Sequence, residues 1–497
     1  MTDTGHPRRW FILGILNLSL ILVVASVSSL NLSLPSIQQA LGASAADLIW
    51  INAAYALVFA AFLLPAGALG DRFGRKGALL AGLVVFVVGA LLGSTADTAG
   101  QLIAFRALMG VGAAFAMPAT LSILTAVFPA DERDKAIAVW AGFAGAGGAI
   151  GILSAGILLE YFWWGSVFFV NVPIVVTALA LVAAFVPTSR DTQGHRLDPV
   201  GSLLSAVGLA ALVFGLIQGP EYGWTDPLVL GGFVGAVVLL TSWVAFERRQ
   251  EQPMLDPGLF RIPRFGLAAL ALGSSFAVMF GMFFGLAQFL QFVLGYSPLG
   301  AAVRIMPFAL SMLAIAPRGP ALAARFGSGR VIGGGMLVTA LGCVVMVLLT
   351  GDSGYGHVIV GVLLVSSGMA LGFPTATAAI VGSLPLDKAG VASAVNDTTR
   401  EVGAAVGIAL LGSLLSAGYR RGLGDALDQL PAEMAEIARD SVGAALVVAQ
   451  RAPAGVGEQI AATARDAFAS GYSLAMAAGA VLLTVTGLLV IGRWPAD

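Results

Sequence analysis

Long apolar runs separated by short polar turns recur along the whole chain, near 11–33, 48–70, 78–96, 102–128, 136–159, 165–187, 199–219, 228–247, 265–294, 299–323, 331–350, 357–383, 391–418 and 470–492. A run of about 20 residues, as a helix, crosses a hydrocarbon layer of about 30 Å. Because a bilayer core leaves no water for backbone polar groups, runs of this length predict helices rather than open strands. The pattern therefore predicts an all-α polytopic membrane protein of fourteen spans. The first run follows Arg8 and Arg9 as a signal peptide's would, but it is longer than 20 residues and has no obvious cleavage site, so it reads as a retained span. Residues 419–469, between the last two spans, contain helix-forming stretches around 431–449 and 455–468 and would cap the outer mouth.

Composition narrows the class. With 58% hydrophobic and 11% charged residues and a mean hydropathy of +0.92, the chain could not keep soluble domains dissolved. The 64 glycines and 22 prolines suit closely packed membrane helices. Cys343 is the only cysteine, so an internal disulfide is excluded, and His6, His195 and His357 lie in or beside loops, so no metal centre is expected. A net charge of −1 gives no sign of a nucleic-acid partner. No Walker loop, HExxH or Gly-x-Ser-x-Gly stands in a fitting context, which argues against an enzyme and against a cofactor.

Charge fixes the expected orientation. With the N-terminus cytoplasmic, seventeen of the 26 Lys and Arg residues fall in cytoplasmic segments and none in the six short outer loops. Both termini are then cytoplasmic, in a bacterial-type inner (plasma) membrane. Five more arginines lie in 419–469, and Arg106, Arg304, Arg318 and Arg400 lie within spans.

A short motif occurs twice. Residues 64–80 and 316–330 both carry a leucine, then Arg-Phe-Gly, then a basic residue, between corresponding spans. The duplication predicts a six-helix bundle over 1–188, an inserted two-helix linker over 189–264, and a second six-helix bundle over 265–497, with the substrate site at the bundle interface.

These residues resemble a known family. Gly67, Gly70, Asp71, Arg72, Gly74, Arg75 and Lys76 look like the loop signature of the major facilitator superfamily, and Arg106, Gly110 and Gly112 are similar to its span-four motif, with Met109 in place of the usual glutamine. The stretches 198–201, 223–224, 247–249, 259–261, 291–298 and 389–393 look like the fourteen-span drug:proton antiporter branch. The resemblance covers nearly the whole chain. It implies the major facilitator fold, a monomer, and export of amphipathic drugs or related metabolites in exchange for protons. It further implies that the loop at 67–76 latches the halves together on the inner side. A plain basic turn is the other reading, and Ala324 in the second copy makes any latch one-sided. Span five keeps Gly147, Gly151 and Ala155 at four-residue spacing, which lets helix backbones touch, but Ile152 replaces the proline of the antiporter motif. Ser26 stands where that branch typically has an aspartate in span one.

Span thirteen carries the chemistry. Ser393, Asn396, Asp397, Arg400 and Glu401 fall on one helix face. Charged groups in a span face partners or a wet cavity, because each costs about 2.5–3.5 kcal/mol near the bilayer centre. Asp397 can pair with Arg400 one turn away, leaving Glu401 without a local cation of its own. Glu401 is thus the principal candidate proton carrier and Asp397 the second; a hydrated ion-pair cluster at the cytoplasmic mouth is the alternative. Candidate substrate-cavity residues are Asn31, Asn52, Tyr55, Trp140, Gln288, Gln291, Phe280 and Phe284, with Arg106 buried in span four and needing a partner. The residues leave open a dedicated single-metabolite exporter, an uncoupled facilitator and a transport-dead sensor or scaffold.

Overall fold

A computed structural model describes residues 6–189, 198–250, 253, 256–384, 389–423, 431–453 and 455–495, which are helical almost throughout and contain no strand. In the N-terminal part, α1 (Arg9–Leu41), α2 (Ala45–Phe73), α3 (Arg75–Gly93), α4 (Ala99–Val127) and α5 (Ala130–Tyr161) are followed by the single turn α6 (Ser166–Phe169) and by α7 (Asn171–Phe185). Next come α8 (Pro199–Tyr222) and α9 (Pro227–Glu247). The C-terminal part contains α10 (Pro263–Gln288), α11 (Pro298–Ile315), the short α12 (Gly319–Phe326), α13 (Ser328–Val347), α14 (Tyr355–Gly382), α15 (Ala389–Leu423), α16 (Ala432–Asp440), α17 (Val442–Arg451) and α18 (Val456–Arg493).

Local chemistry sets several of these starts. Asp198, Asp226 and Ser297 each precede a proline, and each side chain accepts a hydrogen bond from a backbone N–H of the first turn, at 2.8, 2.8 and 3.1 Å. The cap satisfies an orphan donor while the proline supplies a helical φ where no N–H is needed. Ser44 and Asp47 form a reciprocal capping box at the start of α2.

Among the described residues, thirteen helical stretches are long and apolar enough to cross a bilayer. The remaining expected span, 136–159, lies in α5, which is continuous over 32 residues. The charges of α5, among them Glu132, Arg133 and Lys135, lie in its first turns, and residues 136–159 carry none. Two other expected spans are interrupted. The sixth breaks at Val170 between α6 and α7, and the tenth passes through a 3-10 turn, Ala316–Arg318, into α12, a stretch punctuated by Pro317, Gly319 and Pro320.

The packing is duplicated. Helix α1 lies against α4, α5 and α7, as α10 lies against α14, α15 and α18. Likewise α2 and α3 pack on α4 as α11 and α13 pack on α14, and α3 meets α7 as α13 meets α18. One buried apolar cluster draws mainly on residues before 218 and a second mainly on residues after 258. Helices from the two parts meet where α2 packs on α15 and α5 on α11, while α8 leans on α2 and α15 with α9 outside it.

Two features repeat at residue level. Gly74 and Gly327 close the two Arg-Phe-Gly turns with φ of 126° and 87°, a left-handed region that favours glycine. Gly147 and Gly151 of α5 lie on Val24 and Ala25 of α1, as Gly403 and Gly407 of α15 lie on Gly273 and Ala277 of α10. A Cβ on Gly151 would strike the Ala25 carbonyl oxygen, and one on Gly407 the Ala277 carbonyl oxygen. The spacing noted in span five therefore recurs, in use, in span thirteen.

The end of the molecule holding Arg9 and residues 72–76, here the basic end, is tied by Arg9, which donates two hydrogen bonds of 2.7 Å from α1 to Glu132 of α5. Those bonds hold the Glu132 carboxyl below the usual carboxylate range. A depressed carboxyl stabilises the fold above its unfolded value, and this contribution is lost as pH falls through the folded value. Arg9→Gln is therefore expected to lower the thermal midpoint at pH 7, with the gap to the wild type narrowing as pH falls through the acid range, as read by scanning fluorimetry of the purified protein.

At the opposite end, 419–469 is built mostly of helix. Residues 419–423 finish α15, α16 and α17 follow, and the first turns of α18 begin at Val456. This segment folds over the helix ends: the Tyr419 hydroxyl donates to the Ala438 carbonyl at 2.8 Å, Arg465 donates to the Phe292 carbonyl at 3.2 Å, and Gly443 closes on Gln38 of α1.

Candidate functional site

Two polar clusters lie inside the helical body. The first is assembled from α1, α2 and α4. Arg106 is 0% exposed, and its guanidinium lies 4.4 Å from the centre of the Tyr55 ring. It donates to the Ile51 carbonyl at 3.3 Å and to the Ser26 hydroxyl at 3.4 Å, while Nη2 has no hydrogen-bond partner among the described residues. The Tyr55 hydroxyl is likewise buried without a partner among them. One turn away, Asn52 donates to Asn31 at 2.7 Å across the α1–α2 seam. Helix α4 reaches this position because Gly110 and Gly112 have no side chain: a Cβ there would sit 2.7 Å from the Tyr55 carbonyl oxygen and 2.5 Å from the Phe86 amide nitrogen. A cation this deep costs about 2.5–3.5 kcal/mol on the insertion scale, and its described partners here are neutral.

The second cluster lies on α15. Arg400 donates to Asp397 at 3.4 Å, and its guanidinium is held between the rings of Phe276 (4.7 Å) and Phe373 (5.3 Å). Asn396 donates to the same Asp397 oxygen at 3.3 Å. Glu401, one turn on, makes no hydrogen bond or ion pair among the described residues, though its charge reaches Tyr55 of the first cluster. The side chain of Ser393 lies outside those described.

The other expected cavity residues are spread out. Phe280 stacks on Phe276 at 6.2 Å, and Phe284 is buried against the N-terminal core. Gln288 turns its amide onto the Phe284 carbonyl of its own helix, and Gln291 donates to the Leu32 carbonyl of α1 at 2.9 Å, joining the two parts of the chain. Trp140 of α5 donates to Thr120 of α4 at 3.2 Å, so its ring nitrogen serves packing. Gly147, Gly151 and Ala155 form the α1 seam and the buried face beyond it. Arg304, another arginine within a span, is clamped: its guanidinium lies 3.6 Å from the centre of the Tyr296 ring and 5.5 Å from that of Tyr355, and it donates to the Gly300 carbonyl.

In the loop at the basic end, Gly67 faces Pro118 and Gly70 lies against Ala78. Arg72 is exposed over Phe73, Arg75 donates to the Ser122 carbonyl, and Lys76 donates to the Ala183 carbonyl at 2.7 Å. The bonds described for Arg75 and Lys76 thus stay within the N-terminal part; the side chain of Asp71 lies outside those described.

Sequence reasoning missed a cavity of about 630 Å³ in the basic half of the molecule, between α2, α8, α9, α10 and α15. Its wall is largely apolar, with Trp243, Ser205, Thr398 and Thr399 among its polar or aromatic members. That size and lining suit a drug-sized amphipathic ligand. At the opposite end, the space between Gln38, Ile49, Gln288 and Val442 is only about 20 Å³. Of these two spaces, the one on the basic side is by far the larger. Sequence does not mark the cavity, because α8 and α9 are apolar over most of their length and their polar lining residues, Ser202, Ser205 and Glu247, are few and scattered.

The family model described as Major Facilitator Superfamily matches residues 16–408. The chain is 35% identical to the multidrug efflux pump LfrA of Mycolicibacterium smegmatis, over 98% of this chain and 97% of that one. It is 34% identical to the methyl viologen resistance protein SmvA of Salmonella typhimurium, over 98% of each. Its fold is similar to that of a bacterial homologue of the human lysosomal transporter Spinster, with a TM-score of 0.66 and 19% identity over 99% of both chains.

Proposed function

The chain belongs to the Major Facilitator Superfamily, and from that membership we propose that it exports amphipathic small molecules, drugs or related metabolites, across a bacterial plasma membrane in exchange for protons. One observation carries the coupling: Glu401 is a carboxyl group set within a membrane helix, without an ion-pair partner among the described residues, while its neighbour Asp397 holds Arg400. A group that can take up a proton on one side and release it on the other is what antiport needs.

In this reading all fourteen helical spans cross the membrane, α5 among them, and both termini are cytoplasmic, so the basic end faces inward. Residues 1–188 and 265–497 form two six-helix bundles that rock about the α2–α15 and α5–α11 contacts, with α8 and α9 (189–264) inserted between them. The duplicated packing and the two separate apolar cores support this layout. The protein works as a monomer. Cargo enters the 630 Å³ cavity from the cytoplasmic side or the inner leaflet, beside α15, and the halves then reorient to release it past α16 and α17. The loop at 67–76 acts as the inner latch in the reoriented state.

The test is efflux from proteoliposomes holding the full-length protein, with rhodamine 6G as probe. Flux that follows an imposed pH gradient and collapses with a protonophore is expected. Flux indifferent to the gradient would favour a facilitator, the reading that the neutral Ser26 supports. Filling the cavity with Ser205→Trp is expected to lower efflux at least threefold without shifting the thermal midpoint; unchanged efflux would remove the cavity from the route.

A further inference from the structure

The Arg106 cluster has an unbalanced charge. The guanidinium offers five N–H donors, yet its described partners are a carbonyl, a hydroxyl and the face of a tyrosine ring, all neutral. No carboxylate among the described residues pairs with it, and Glu401 of α15, whose charge reaches Tyr55, makes no ion pair with the guanidinium. The helices packed on α4 supply few acids to do so: α1 and α3 contain none. On α2, Asp47 is committed to the capping box with Ser44, and Asp71 lies sixteen residues beyond Tyr55, about 24 Å along the helix. On α5, Glu132 holds Arg9, Asp131 and Asp134 belong to the same basic-end turns, and Glu160 is engaged with the Leu299 amide of α11. Arginine stays protonated, so the site cannot be neutralised by losing its proton. Nη2 of Arg106 and the hydroxyl of Tyr55, donors on two side chains in contact, are both buried without an acceptor among the described residues. Such a pair is matched by an oxyanion, which accepts from both at once.

We propose that Arg106 and Tyr55, flanked by the Asn31–Asn52 pair, form a subsite for the anionic group, a carboxylate or sulfonate, of an exported amphipathic molecule. The inference rests on the export reading and adds a substrate class to it. Ser26 is the specificity-determining position: a neutral hydroxyl there leaves the guanidinium's charge available to cargo, whereas an acid would take it up.

Fluorescein and rhodamine 6G share a xanthene ring system but carry opposite charges. Binding of each to the purified full-length protein by fluorescence anisotropy, and efflux of each from proteoliposomes, tests the subsite. The wild type is expected to favour fluorescein. Ser26→Asp is expected to weaken fluorescein binding and efflux at least tenfold while leaving rhodamine 6G equal or improved; Ser26→Asn, neutral and of similar size, should keep the wild-type preference. Arg106→Gln should lose fluorescein by a similar factor, and the Ser26 pair decides the matter if that variant folds poorly. Equal losses of both probes, an unchanged ratio in Ser26→Asp, or binding of neither probe would overturn the proposal. Charge-selective binding without flux would keep the subsite and remove the export reading; flux of both probes, indifferent to Ser26→Asp, would do the reverse.

Discussion

Glu401→Gln is expected to abolish pH-driven accumulation while leaving downhill exchange of the same probe within about twofold. Glutamine keeps the length and hydrogen-bonding capacity of the side chain but cannot carry a proton. Asp397 is a poor substitute, because it already holds Arg400 at 3.4 Å and accepts from Asn396. Releasing Arg400 would leave an arginine held only by the rings of Phe276 and Phe373. Asp397→Asn should therefore lower driven and downhill transport together, through loss of the Arg400 anchor, whereas Glu401→Gln should separate them by at least tenfold. Proteoliposomes with and without an imposed gradient supply both rates. Undiminished driven efflux in Glu401→Gln would remove the carboxyl from the coupling.

The largest structural effect is expected at the glycine seams. In Gly407→Val the new side chain meets the backbone of α10 at Ala277, which cannot turn aside as a flexible side chain could. Overpacking a filled interior typically costs about 1–3 kcal/mol, and a clash with helix backbone belongs at or beyond the top of that range. Gly151→Val should behave alike, since Ala25 of α1 occupies the corresponding place. Gly231→Val on α9, where a Cβ would meet nothing within 4 Å, should be silent. Folded yield in detergent and thermal midpoint read the three together. If Gly407→Val and Gly231→Val were equally stable, the seam would not be a close-packed contact.

Much of this architecture is legible in the sequence, and the reasons are physical. Hydropathy finds helices because a bilayer tolerates nothing else, and Asp-Pro and Ser-Pro pairs mark starts because they complete an open first turn. The Asp397–Arg400 pair is local and could be read from spacing alone. What escapes is mostly non-local. Ser26 and Arg106 are separated by 80 positions, and their contact depends on how α1 and α4 cross. Phe373 reaches Arg400 from α14, and the clamp on Arg304 needs Tyr296 and Tyr355 together. Membrane helices also hide their packing faces, because lipid tails and a protein interior are equally apolar, so a stripe facing a neighbour does not stand out. The cavity beside α8 and α9 is a product of that ambiguity.

The paired glycine contacts also determine which parts of the molecule can move. Where backbone rests on backbone, sliding is blocked, so α1 with α5 and α10 with α15 are expected to behave as welded pairs. The α2–α15 boundary beside the cavity shows no such weld among the described residues and is expected to be the sliding joint. A chemical tether across a weld should go unnoticed in transport assays, whereas the same tether across the sliding joint should stall the cycle.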